Sequence, residues 1–103
     1  MREDEAIAII WRYRVKPAHR AAFEIAYGPD GDWARLFAQA PGYAGTELLK
    51  DGVERYMTID RWRSAADFEA FQAAHAEAYA ALDRRTADWT EEEDEIGLFH
   101  SVR

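Results

Sequence analysis

Six residues between positions 60 and 79 carry side chains that small-molecule chemistry can use: Asp60, Trp62, Phe68, Phe71, His75 and Tyr79. Trp62 offers a broad face on which a planar ligand stacks, and Phe68 and Phe71 extend it. His75 can act as a general base or a haem ligand, because an unperturbed imidazole titrates at ~6.5 and small shifts carry it across neutrality. Tyr79 follows His75 by one helical turn, so the two side chains are neighbours, and its hydroxyl can hydrogen-bond a phenol. Asp60 shares strand parity with Trp62 and Thr58, which makes it either a proton acceptor on a buried face or the strand's wet end paired to an arginine. Trp33 and Trp11 are candidates for the walls of the same cavity. Each of these residues also has a plain structural role open to it, since aromatic rings at these spacings build cores.

The elements that must position them are legible from periodicity. Tyr56, Met57, Thr58, Ile59 and Trp62 belong to a strand over Glu54–Arg63. Ser64 followed by Asp67 matches a capping box with Asp in the acidic position, and a long amphipathic helix over Ala65–Arg85 follows. Phe68, Phe71, His75, Ala78, Tyr79 and Leu82 form its apolar face. Upstream, Ala6–Val15 reads as a first strand, after a charged start at residues 1–5 that is expected to fray. Lys16-Pro17 opens a helix over Ala18–Tyr27. Gly28-Pro29-Asp30-Gly31 ends it. A short helix over Asp32–Gln39 and a Pro41-Gly42 turn lead to a second strand, Tyr43–Lys50. Asp51-Gly52 marks a hairpin into the third strand. Thr86–Glu95 reads as an acidic connection and Ile96–Val102 as the fourth strand.

The order is β-α-β-β-α-β, an α+β ferredoxin-like antiparallel sheet with helices on one face. Ile9 and Trp11 alternate with Ile10, and Tyr56 and Trp62 with Met57 and Ile59, so the sheet is apolar on both faces. The face without helices requires a partner, and sheet-to-sheet packing in a homodimer supplies one. Arg61 and Arg63, of opposite parity to Trp62, are expected on that side or in solvent.

Composition narrows the classes. The 103 residues fit one domain, 1–103, with 49% hydrophobic residues for a core. Four Trp are a heavy load for so short a chain, which places some of them at a pocket or interface. A net charge of −7 argues against nucleic acid or an anionic membrane as partner. With no Cys, thiolate ligands, disulfides and cysteine nucleophiles are excluded. The acidic start and short apolar runs fit neither a secretory signal nor a transmembrane span, so a soluble cytoplasmic protein is expected. The carboxylates of Glu91–Glu95 are consecutive and are expected to be solvated rather than to hold a metal.

Read in order, a set of short motifs resembles the antibiotic biosynthesis monooxygenase family of the dimeric α/β-barrel superfamily. They are Val15-Lys16-Pro17, Phe23, Trp33, Pro41-Gly42-Tyr43, Leu48-Leu49, Asp60-Arg61-Trp62-Arg63-Ser64 before Phe68 and Phe71, and Gly97-Leu98-Phe99. The resemblance implies a ferredoxin-like protomer, a dimer whose sheets form a barrel, and a pocket between each sheet and its own helices. It implies cofactor-free oxygenation of a small aromatic or polycyclic phenol, in which the substrate carbanion itself reduces O₂. Haem-degrading relatives use a pocket Trp, an Asn on the first strand and a helix His. Trp62 matches that Trp, the first strand has no Asn, and the His position falls nearer Gln72 than His75. The resemblance therefore points to oxygenation with no cofactor before haem chemistry. A non-catalytic dimer that binds a small hydrophobic ligand is the alternative.

Overall fold

The computed structural model describes residues 5–102; apart from Glu5, the charged start lies outside the described residues. Four strands form one antiparallel sheet: β1 (Ile7–Val15), β2 (Tyr43–Asp51), β3 (Arg55–Trp62) and β4 (Thr90–His100), in the spatial order β2-β3-β1-β4. That is the ferredoxin-like topology. Helices α1 (Arg20–Tyr27), α2 (Asp32–Phe37), α3 (Ala65–Ala74) and α4 (Ala76–Thr86) connect the strands.

Alternation dictates which side chains reach the core. On β1, Ile7, Ile9, Tyr13 and Val15 are buried, and on β3 Tyr56, Thr58 and Trp62. They meet Phe23 and Tyr27 of α1, Trp33, Leu36 and Phe37 of α2, Phe71 of α3 and Leu82 of α4 in one cluster. Phe23 and Tyr27 stack with centroids 4.0 Å apart, and Trp62 has Phe37, Tyr43, Phe68 and Phe71 within 5.8 Å.

Local signals act as their chemistry requires. Pro17 begins a short 3-10 turn, Pro17–His19, which leads into α1. The amide of Asp67 donates to Ser64 Oγ at 3.1 Å, capping α3. Gly42 turns the chain at φ +91°, and a side chain there would collide with the Asp67 carboxylate. The β2–β3 hairpin closes on the pair Asp51–Arg55.

Two elements differ from the expectation. The long helix divides at His75, whose backbone (φ −121°, ψ 25°) leaves the helical region, although its amide still bonds to the Phe71 carbonyl at 2.9 Å. Neither Pro nor Gly lies behind this break. The acidic run expected as a connection is instead the first half of β4, which begins at Thr90. Pairing with the arginines of β1 makes an acidic strand tolerable. Arg12 reaches Asp94 at 3.4 Å, and Arg14 pairs with Glu92. A bulge at Ile96 lies between the pairs Ile10–Gly97 and Trp11–Glu95. It shifts the register by one residue, so Glu93 and Glu95 share a face with Tyr13 and Trp11.

The helix-free face carries Ala8, Ile10, Met57 and Ile59 at its centre, with Leu49 and Phe99 exposed beside them. Arg61 pairs with Glu47 on this face at 3.2 Å, whereas Arg63 turns to Asp67 at 2.9 Å. Among the described residues no helix is long and apolar enough to cross a membrane.

Candidate functional site

A cavity opens between the sheet and the helices. Ile9, Trp11 and Tyr13 of β1, Thr46 of β2, and Thr58, Asp60 and Trp62 of β3 form its floor. Tyr27, Trp33, Phe37, Phe68, Tyr79 and Asp83 close it from the helices, and Glu93 closes it from β4. The space open to water inside is about 50 Å³. That holds a few water molecules, since one needs roughly 10–15 Å³.

Asp60 is the cavity's polar centre. Strand alternation points it inward beside Trp62 and Thr58, among aromatic walls that strip its water. Burial lifts its carboxyl to about 6, against the opposing pull of the Thr46 hydroxyl. Thr46 Oγ1 donates to Asp60 Oδ1 at 2.6 Å and lies 2.5 Å from the Tyr43 hydroxyl. The three side chains form a chain from the half-buried edge of β2 to the cavity floor. Among the described residues Asp60 Oδ2 has no hydrogen-bond partner. A carboxyl titrating near neutrality, with one oxygen fixed and the other free, can accept and return a proton.

The walls hold two further polar atoms. The indole nitrogens of Trp33 and Trp62 are buried without a hydrogen-bond partner. Burial drives the neighbouring Tyr27 hydroxyl up to about 12. An unpaired buried donor costs about 1–3 kcal/mol, which a ligand's oxygen can offset.

Of the candidates named from sequence, Asp60, Trp62, Trp33, Trp11, Phe68 and Tyr79 all line the cavity. Phe71 and His75 do not. Phe71 is fully buried behind Trp62, and His75 stacks on Phe71 with centroids 5.3 Å apart. Tyr79, whose amide still bonds to the His75 carbonyl at 2.9 Å, packs edge-on against Trp33 at 4.9 Å. Thr46 and Glu93 also line the cavity, although Glu93 belongs to the acidic run expected to be a solvated connection. Glu93 depends on the β4 bulge. Thr46 alternates with Leu48 on β2, and nothing in a strand threonine by itself marks it as part of a site.

The cavity offers no haem ligand of the kind the sequence suggested. None of its lining residues is a histidine, so no imidazole faces it to ligate a haem iron. Among the described residues no group of three or more His, Cys, Asp or Glu is placed to hold a metal ion.

The fold has many solved relatives. SnoaB, a cofactor-independent oxygenase from Streptomyces nogalater whose structure is that of a mutant, superposes with a TM-score of 0.76 at 21% identity, covering 96% of this chain and 95% of that one. A putative antibiotic biosynthesis monooxygenase from Nitrosomonas europaea gives 0.71 at 16% identity, covering 99% and 95%. One from Bordetella bronchiseptica gives 0.67 at 18%, covering 96% and 97%. At such identities these likenesses establish the fold alone. No functionally curated protein matches the sequence. Residues 6–82 match the family described as antibiotic biosynthesis monooxygenase. With three quarters of its residues inside that match, the chain belongs to the antibiotic biosynthesis monooxygenase family.

Proposed function

We propose that the protein is a cofactor-independent monooxygenase that oxidises a small, planar, electron-rich phenol in the sheet–helix cavity, with Asp60 as the proton acceptor. The observation that carries this reading is the Asp60 carboxyl, poised at about 6 in an aromatic cavity with Oδ1 held by Thr46. The membership of the family and the likeness to SnoaB support the reaction class.

Asp60 takes a proton from the ring methylene of the substrate, leaving a carbanion delocalised over the phenol. The carbanion passes one electron to O₂, and the two radicals join to form a peroxide on that carbon. Asp60 returns its proton to the peroxide. It then removes the second C–H proton as the O–O bond breaks, and hydroxide leaves to be reprotonated as water. A CH₂ becomes C=O, one O₂ is consumed and one H₂O is released; the substrate supplies all the electrons. Trp62, Trp33, Trp11 and Phe68 hold the ring, and the two unpaired indole N–H groups can donate to its oxygens as they gain charge. Proton transfer is assigned to Asp60 rather than His75, because His75 is not among the cavity's lining residues.

The test is oxygen uptake by purified, chelator-treated protein with an anthrone. Conversion to the anthraquinone above the spontaneous rate is expected, with one oxygen atom from O₂ in the product. The narrowness of the cavity favours a second reading, a non-catalytic ligand-binding dimer. That reading gains if the anthrone binds and no oxygen is consumed.

A further inference from the structure

The cavity has a charge pattern that its shape alone does not require. Its lining holds eight aromatic rings and three carboxylates, Asp60, Asp83 and Glu93, and no Lys, Arg or His. The neighbouring acids on β4 are neutralised, Glu92 by Arg14 and Asp94 by Arg12. Among the described residues neither Asp83 nor Glu93 has an ion-pair partner, although both are exposed enough for an arginine to reach. Arg85, on the same helix as Asp83, pairs with Asp32 instead.

The carboxylates act on one another and on the rings between them. Burial and then repulsion from Asp83 raise the Glu93 carboxyl. Burial, followed by Asp83, Glu93 and Asp60, raises the Tyr79 hydroxyl. The mouth therefore carries uncompensated negative potential, bounded by ring faces that also attract cations. Deeper in, the buried and unpaired indole N–H groups of Trp33 and Trp62 ask for an acceptor. The three carboxylates are not grouped as a metal site, which leaves an organic cation.

We propose that the ligand is a phenol bearing a protonated amine: its ring and oxygen sit between Trp33 and Trp62, and its ammonium sits at the mouth between Asp83 and Glu93. This rests on the reading of the cavity as the substrate site and names the substrate's charge. A ligand with a carboxylate side chain is disfavoured, because no cation in the lining meets it.

The test compares three matched probes by titration calorimetry at neutral pH: tyramine, para-ethylphenol and para-hydroxyphenylpropionate. Tyramine is expected to bind about tenfold more tightly than the neutral phenol, and the carboxylate more weakly than either. Asp83→Asn combined with Glu93→Gln should bring tyramine to within about twofold of para-ethylphenol. Equal or tighter binding of the carboxylate probe overturns the proposal, as does a preference that survives the double variant or binding of none of the three. The outcome is separable from the oxygenase reading. Anthrone oxidation without any charge preference removes only this inference, and a charge preference without oxygen uptake removes only the oxygenase.

Discussion

Asp60 sits two residues before Trp62 on the same face of β3, and that spacing places a carboxyl among rings. Its raised pKa has a stability consequence. Between about 4 and 6 the folded state holds a proton that the unfolded state has released, so this group's contribution falls as pH rises through that window. Asp60→Asn removes the penalty. At pH 7 the variant should gain about 1–2 kcal/mol, a value reduced from the full shift because Asp60 is only partly buried. Urea melts of both proteins at pH 4 and pH 7 check the sign: the gain appears at pH 7 and shrinks at pH 4. His75→Ala should leave the rate of any turnover within about threefold of wild type, because its ring stacks on Phe71 rather than lining the cavity. Steady-state oxygen uptake reads that directly. Asp60 was visible in the sequence by parity. That its environment is apolar was not, because this depends on Phe37, Trp33 and Tyr79 arriving from two other helices.

At the scale of elements, the α3 cap is the simplest test. Ser64→Ala loses the bond to the Asp67 amide and should cost about 1 kcal/mol, measured by the shift in denaturation midpoint with an unchanged slope. The order of elements was legible because each signal is local: alternation in β1 and β3, Ser64 before an apolar helix, Pro17, Gly42, and the Asp51-Gly52 hairpin. Two features escaped for one physical reason. The acidic half of β4 has poor strand propensity on its own; it pairs with β1 as a strand, and Arg12 and Arg14 across from it offset the repulsion of its carboxylates. The break at His75 likewise has no local breaker, so a continuous apolar face was the natural expectation. The first of these bears on the site, because the strand places Glu93 opposite Tyr13 at the cavity.

At the scale of the whole molecule, the sheet's open face remains to be covered. Ile10 and Ile59 are directly paired across β1 and β3, with Met57, Leu49 and Phe99 around them. We expect two copies to pack these faces together, with Arg61–Glu47 and Arg12–Asp94 at the rim. Ile59→Glu puts a charge at the centre and should convert a dimer into a monomer by light scattering, while leaving the circular dichroism spectrum unchanged. A wild-type monomer at micromolar concentration would contradict the dimer. The catalytic claim meets its most direct test in the pH–rate profile of anthrone oxidation by wild type and Asp60→Asn. The wild-type rate should rise with pH through an inflection near 6, where Asp60 ionises. The variant should be slower by about 10²–10⁴ and lose that inflection. Equal rates, or an inflection that persists in Asp60→Asn, would show that the proton goes elsewhere and that Asp60 is only a partly buried acid held by Thr46.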